Sequence, residues 1–162
     1  MQAGLENITN FRQASPDLAT SGQPRSEHFG PMADAGYVAV INLALHDDPR
    51  YSLPDEAAAV REARMRYIHI PVQFARPTLA DLSTFMDAMD TYQGKKVWVH
   101  CAANMRVTAF LGLYRVLRKG WAEGPAFALM NSVWEPNEVW EAFIAEALAS
   151  TSLGCATPPS GA

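Results

Sequence analysis

The sequence predicts an α/β fold, a central and largely parallel sheet flanked by helices, and two observations carry that expectation. Apolar runs of strand length alternate with helix-periodic segments from about residue 26 to 119. Parallel strands need such crossovers, because two neighbours running the same way cannot be joined by a tight turn. A chain of 162 residues, 49% of them hydrophobic, fills one domain and buries a real core.

Taken in order, the elements follow from local patterns. ITNFRQA and LATSGQP read as short extended pieces, the second closing at the turn signal Ser21, Gly22, Gln23, Pro24. Ser26 is placed to cap a short helix reaching 35, with Gly36 as its stop. YVAVINLAL, 37–45, is apolar almost throughout and predicts a buried strand, followed by the loop HDDPRYS. Residues 54–65 have helix-forming composition, with Pro54 tolerated in a first turn, and YIHIPV is a second strand closed by Pro71. From Thr78 a capped helix carries Leu79, Leu82, Phe85, Met86 and Met89 at helical spacing and ends at Gly94. KKVWVHC is the last strand, and helices are predicted over 105–119, 123–133 and 136–149. The domain is therefore expected over 1–149. Its last residues, 150–162, are small and polar with Pro158 and Pro159, the composition of a disordered tail.

The formal charge of -4 gives no general basic field, so neither nucleic acid nor an acidic membrane surface is an expected partner. No apolar run is long enough for a membrane span, and MQAGLENITN lacks the marks of a secretory leader, which makes a cytoplasmic location the expectation. Cys101 and Cys155 lie far apart and suggest no disulfide framework. His28, His46 and His69 show no ligand spacing with each other or with cysteine, so neither a catalytic metal nor a cofactor is expected.

Chemistry concentrates in VWVHCAANMRVTAF, 97–110, where a strand runs straight into a helix with Cys101 at the junction. Ligands of parallel α/β sheets bind beyond the carboxyl ends of the strands. The amides of Ala102, Ala103, Asn104 and Met105 and the first-turn N–H groups converge there without helical partners, which makes an anion-binding nest. The same field favours a thiolate: cysteines at helix N-termini fall from about 8.5 to as low as about 3.5 in pKa. Arg106 offers a planar fork for a phosphate or sulfate, Asn104 suits a positive φ in the loop, and Thr108 is placed to donate its hydroxyl to the sulfur. Read singly, Cys101 and His100 are ordinary packed residues, and their combination with Arg106 is what points to an anion site.

These residues resemble the signature of the cysteine-dependent protein tyrosine phosphatase superfamily in its compact dual-specificity-like form: a strand ending in His100 and Cys101, a loop, then Arg106 and Thr108 opening a helix. TSGQP, GYVAVINLAL, YIHIPV and VHCAANMR are further similar to a bacterial branch of phosphatase-like domains, some related to modules fused to β-lactamase-like hydrolases. The resemblance spans about 7–148. It implies a single phosphatase-like domain, a metal-independent phosphatase working through a phosphocysteine, and a phosphorylated small molecule or phosphoprotein as partner.

Two departures from that pattern matter. Four residues, not five, separate Cys101 from Arg106, and counted from Cys101 the arginine is advanced by one place, about 100° around a helix. The aspartate that the resemblance implies as general acid in the loop after YIHIP is replaced by VQFARPT. Asp81, Asp47, Asp48 and Glu135 are the substitutes, each with an ordinary alternative as a helix first-turn charge, turn residues or a solvated link. Lacking an acid favours aryl or phosphotyrosine-like substrates, whose leaving groups depart without a proton. Two alternatives stay open: a rhodanese-like sulfurtransferase, suggested by the shorter loop, and a phosphate-binding pseudophosphatase. Arg76 at the site mouth, and Trp134 and Trp140 as pocket walls, are weaker candidates for which solvation and packing are the plain readings.

Overall fold

The computed structural model describes residues 4–46 and 52–150. Five strands, β1 (Arg12–Ser15), β2 (Leu18–Ser21), β3 (Ala39–Asn42), β4 (Arg66–His69) and β5 (Val97–His100), make one sheet in the order β1-β2-β5-β3-β4. Only the β1–β2 pair is antiparallel; β2–β5, β5–β3 and β3–β4 are parallel. Around the sheet lie α1 (Phe29–Asp34), α2 (Glu56–Glu62), α3 (Leu79–Thr91), α4 (Met105–Leu117), α5 (Glu123–Val133) and α6 (Glu138–Ala149). The expected α/β architecture is the one observed. Asp47 and Asp48 lie outside the described residues, as do Cys155 and all of the expected tail beyond Ser150.

Side chains alternate across a strand, so each strand feeds two layers. Ile41, Val97, Val99 and Cys101 face one core with residues of α3, α4, α5 and α6, while Val40, Trp98 and Ala19 face a second with Phe29, Met32 and Val60 of α1 and α2. Covered on both sides, β5 is buried at every position, which is why it reads as a continuous apolar run. Behind it α4 is buried from Arg106 to Arg115. Phe110 sits in that layer 5.7 Å from Phe85, 5.8 Å from Phe143 and 5.9 Å from Trp140, ring centroid to centroid. Gly112 lets α5 approach closely, since a Cβ there would fall 2.3 Å from a Phe127 ring carbon.

The boundaries differ from the sequence expectations where side chains capture backbone groups. The strand expected over 37–45 is only Ala39–Asn42, because the Asn42 side chain accepts the Ala44 N–H at 2.8 Å and turns the chain. Ser26 opens a short 3-10 turn rather than capping α1, and His28 Nδ1 accepts the Arg25 N–H at 2.9 Å. α2 stops before Arg64, whose φ of 69° no helix accommodates. α6 begins two residues past Pro136 because Asn137 caps the Trp140 N–H at 3.0 Å. Thr78 caps α3 as expected, through the Asp81 N–H at 3.1 Å.

Candidate active site

β5 ends at His100 and α4 begins at Met105, so a loop of four residues, 101–104, carries the chain from the central strand into the central helix. Asn104 takes the left-handed conformation (φ 66°, ψ 11°) that makes so short a connection possible. The N-terminal segment holds this loop from outside. The Gln23 N–H donates to Ala102 O at 3.1 Å and Asn10 Nδ2 to Ala103 O at 3.0 Å, while Asn104 Nδ2 donates to Asn10 O at 2.8 Å and Thr20 Oγ1 at 3.0 Å. A trans peptide points its N–H opposite its carbonyl, so the Ala103 amide is turned to the loop's other side. There Phe74, Cys101, Ala102, Ala103, Met105 and Arg106 line a pocket of about 240 Å³. Thr108 is the first residue whose N–H returns to the helix, to Asn104 O at 3.3 Å, and the N–H groups before it have no helical acceptor. The first-turn N–H groups are thus left without helical acceptors at the end of the strand that leads to the thiol.

Gly22 is the residue that makes this clasp fit. It forms a bridge with Ala103, and a Cβ at its position would lie 2.4 Å from Ala102 O, well inside contact distance. The Ser21, Gly22, Gln23, Pro24 turn signal therefore has a second purpose that its local pattern conceals.

Cys101 is a free, buried thiol, 1% exposed, in the same pocket as Arg106. The Arg106 side chain crosses to the segment after β4, donating from Nη1 to Val72 O at 2.8 Å with its Cζ 5.9 Å from the Phe74 ring centroid. Despite the shortened spacing, the guanidinium shares the pocket with the thiol, and one of its five N–H groups tethers the loop where an acid was sought. Thr108 requires a correction. Its hydroxyl donates to Asn104 O at 2.9 Å, with Met105 O at 3.1 Å, rather than to the sulfur, because a threonine within a helix reaches back to the carbonyls three and four residues earlier.

His100 points to the opposite face from Cys101, as adjacent strand residues must. Its Nε2 meets Glu56 Oε2 at 2.5 Å, and its Nδ1 lies 3.2 Å from Cys101 O. The second carboxylate oxygen, Glu56 Oε1, accepts from Gln23 Nε2 at 2.8 Å, and the Glu56 and His100 side chains are wholly buried. Burial alone would push the Glu56 carboxyl up; the His100 charge and the hydrogen bonds from His100 and Gln23 outweigh it and hold the group below its usual range. Glu56, Gln23 and Asn10 thus tie the α2 layer and the N-terminus to the back of the loop.

Of the proposed acids, Asp81 sits in the first turn of α3 and does not line the pocket; neither does Glu135, which is exposed beside Asn131. Arg76 is likewise exposed and away from the pocket lining. Trp134 and Trp140 pack behind Phe74, at 5.7 and 5.9 Å between ring centroids, and Trp140 Nε1 donates to Phe74 O at 2.8 Å. They support a pocket wall without forming it. His46 and His69 stack on each other at 4.3 Å at the ends of β3 and β4.

Glu56, Gln23, Gly22 and Asn10 were missed as site residues in the sequence. Glu56 looks there like any first-turn helix acid, and only the pairing of Ser21 and Asn42 with His100 across β5 brings the two flanking segments to the loop.

The chain matches the family model described as "DSP-PTPase phosphatase fused to NAD+ Kinase" over residues 6–138. It is 36% identical over 102 residues to a β-lactamase hydrolase-like protein of Xylella fastidiosa, a match that covers 62% of this chain and 23% of that protein. The chain thus spans about a quarter of the length of the curated relatives it matches. Among solved structures it is similar to a DUF442 protein of Shewanella putrefaciens CN-32, with 34% identity, a TM-score of 0.80 and coverage of 92% of this chain and 97% of that one. Pseudomonas aeruginosa TpbA, 19% identical with a TM-score of 0.68 over 89% and 87% of the two chains, shares the fold. No helix among the described residues is long and apolar enough to cross a membrane. With 133 consecutive residues inside the family model, the chain belongs to the dual-specificity-like protein tyrosine phosphatases of the kind described as fused to NAD+ kinase.

Proposed function

We propose that this domain hydrolyses phosphomonoesters through a phosphocysteine at Cys101. The observation that carries the reading is a single pocket lined by a thiol, a guanidinium and a loop whose carbonyls are bonded outward. The Cys101 thiolate attacks phosphorus, the P–O bond to the leaving group breaks, and the departing oxygen takes its proton from water. Water then attacks the phosphocysteine, the S–P bond breaks, and inorganic phosphate leaves with the thiolate restored. Through both steps the loop amides and Arg106 hold the transferring group's oxygens, a purely electrostatic contribution made by preorganised donors.

The substrate class follows from the walls. Phe74 and Met105 are apolar, and among the described residues no carboxylate lines the pocket. An aryl phosphate such as phosphotyrosine suits both facts, since its phenoxide leaves with little help from an acid, whereas a serine alkoxide loses about 10²- to 10⁴-fold without one. Two proteins of the same fold are known with phosphorylated ligands, TpbA with the aryl ester phosphotyrosine and PTPMT1 with PI(5)P, an alkyl ester. The partner we favour is therefore a phosphorylated small molecule or phosphoprotein. A nucleophilic thiol works in a reducing compartment, which fits the cytoplasm.

The test is hydrolysis of p-nitrophenyl phosphate with chelator present. Turnover vanishing in Cys101→Ser and falling by about 10²- to 10³-fold in Arg106→Ala is expected. Turnover no higher than the Cys101→Ser blank would sink the reading. Phosphate binding without turnover would then indicate a recognition module, and thiocyanate formation from thiosulfate and cyanide would indicate sulfur transfer.

A further inference from the structure

α4 carries Arg106 in its first turn and Arg115 near its last. Around Arg115 a second pocket of about 240 Å³ touches Leu18 and Val97, the first residues of β2 and β5. The Cys101 pocket lies beyond the last residue of β5, so the two are at opposite ends of the sheet.

The pocket is lined by the apolar Leu18, Met89, Val97 and Leu111, and by three exposed charges, two cations, Lys95 and Lys119, and one carboxylate, Asp17. Arg115 is only 9% exposed. Its guanidinium lies over the Trp121 ring, with Cζ 4.3 Å from the centroid, which occupies a face and leaves the N–H edge open. Along that edge the one hydrogen bond among the described residues runs from Nη2 to Ala14 O at 3.4 Å, the long limit of such contacts. Five donors with one weak acceptor are an uncommon state for a buried cation. The nearby acids of α3 do not answer it: Asp87 and Asp90 pair with Arg118, and Asp90 also accepts from the Tyr114 hydroxyl. Desolvation accordingly pulls the Arg115 guanidinium below its ordinary pKa. Trp121 itself is 42% exposed, an indole with one side on the cation and the rest uncovered.

We propose that this pocket binds a small organic carboxylate with a flat apolar body. The carboxylate takes the open edge of Arg115, with Lys95 and Lys119, partly offset by Asp17, adding long-range attraction, and the body lies against the apolar lining beside Trp121. A singly charged carboxylate suits the site better than phosphate, because a dianion costs more to bring out of water and one fork cannot satisfy it. The proposal stands independently of the phosphatase reading.

Titrating the ¹⁵N-labelled chain with benzoate and with 1-naphthoate tests it, reading the Trp121 indole N–H and the Arg115 side-chain N–H signals by NMR. Saturable shifts confined to this end of the sheet are expected, stronger for naphthoate, unaffected by inorganic phosphate and retained in Cys101→Ser. Affinity should fall tenfold or more in Arg115→Met, the equivalent of about 1.4 kcal/mol. Should that variant fail to fold, Trp121→Ala and Lys119→Glu, both changed at exposed positions, should still weaken binding. The absence of saturable shifts with either probe, equal affinity in the folded variants, or displacement of the probe by phosphate would overturn the proposal.

Discussion

Replacing Glu56 by Met should destabilise the domain far more than a first-turn helix substitution does, and the size of the effect follows from its contacts. Two donors converge on this carboxylate, His100 Nε2 at 2.5 Å and Gln23 Nε2 at 2.8 Å, in a place that neither the Glu56 nor the His100 side chain shares with water. Removing the acceptor leaves a buried imidazole and a half-buried amide facing a methyl group. Breaking a buried pair from one side costs about 3–5 kcal/mol. In a domain of this size each kcal/mol lowers Tm by about 2–4 °C, so a fall of roughly 6–20 °C is expected. His100→Phe should cost a similar amount, leaving the carboxylate without its cation. The double variant Glu56→Met with His100→Phe removes both charges together, and burying two apolar groups of comparable volume is close to neutral. The single losses, roughly 6–10 kcal/mol when summed, should therefore fail to add, with the double variant losing far less than that sum. Urea denaturation of the four proteins measures this directly. Losses that simply add would refute the claim that Glu56 and His100 stabilise the loop as a pair.

The same pair predicts a pH dependence. Because the Glu56 carboxyl is held below its ordinary value of about 4.5 in the folded chain, its contribution is complete above that value and fades as pH drops through the lower folded one. The stability gap between the parent and Glu56→Gln should thus be wide at neutral pH and narrow in acid, a trend that denaturation at a series of pH values checks. Gly22→Ala places a Cβ 2.4 Å from Ala102 O, a backbone atom that cannot yield alone; a loss of about 1–3 kcal/mol and weaker binding of inorganic phosphate, by calorimetry, are expected. Gly112→Ala should also destabilise, as a Cβ 2.3 Å from the Phe127 ring outweighs the roughly 1 kcal/mol that alanine gains in a helix. A Tm equal to or above the parent's would show that α5 moves aside freely.

How much was legible in the sequence varied with the range of the interaction. β5 and the loop after it were readable because VWVHCAANMR carries an apolar run, a residue tolerant of positive φ and a helix start within a few positions, and each of these acts locally. Thr78 and its helix were readable for the same reason. The strand at 37–45 was drawn too long because the Asn42 side chain ends it, and an apolar continuation, Leu43 and Ala44, hides that turn. Thr108 was assigned to the sulfur from its place in a motif, whereas its hydroxyl bonds the carbonyl four residues earlier.

By itself the amino-acid sequence determined the alternation of strands and helices and the position of a thiol at the carboxyl end of a buried strand. Those features rest on hydrophobic periodicity and on caps, which operate over one or two turns of chain. Only the tertiary structure decided which distant groups complete the loop: Asn10 and Gln23 on its carbonyls, Glu56 behind His100, and Val72 holding Arg106. The parallel register of β5 with β2 and β3 brings these segments together across separations of 34 to 94 residues. At such distances a buried carboxylate and a solvated one have the same neighbours in sequence, and only packing tells them apart.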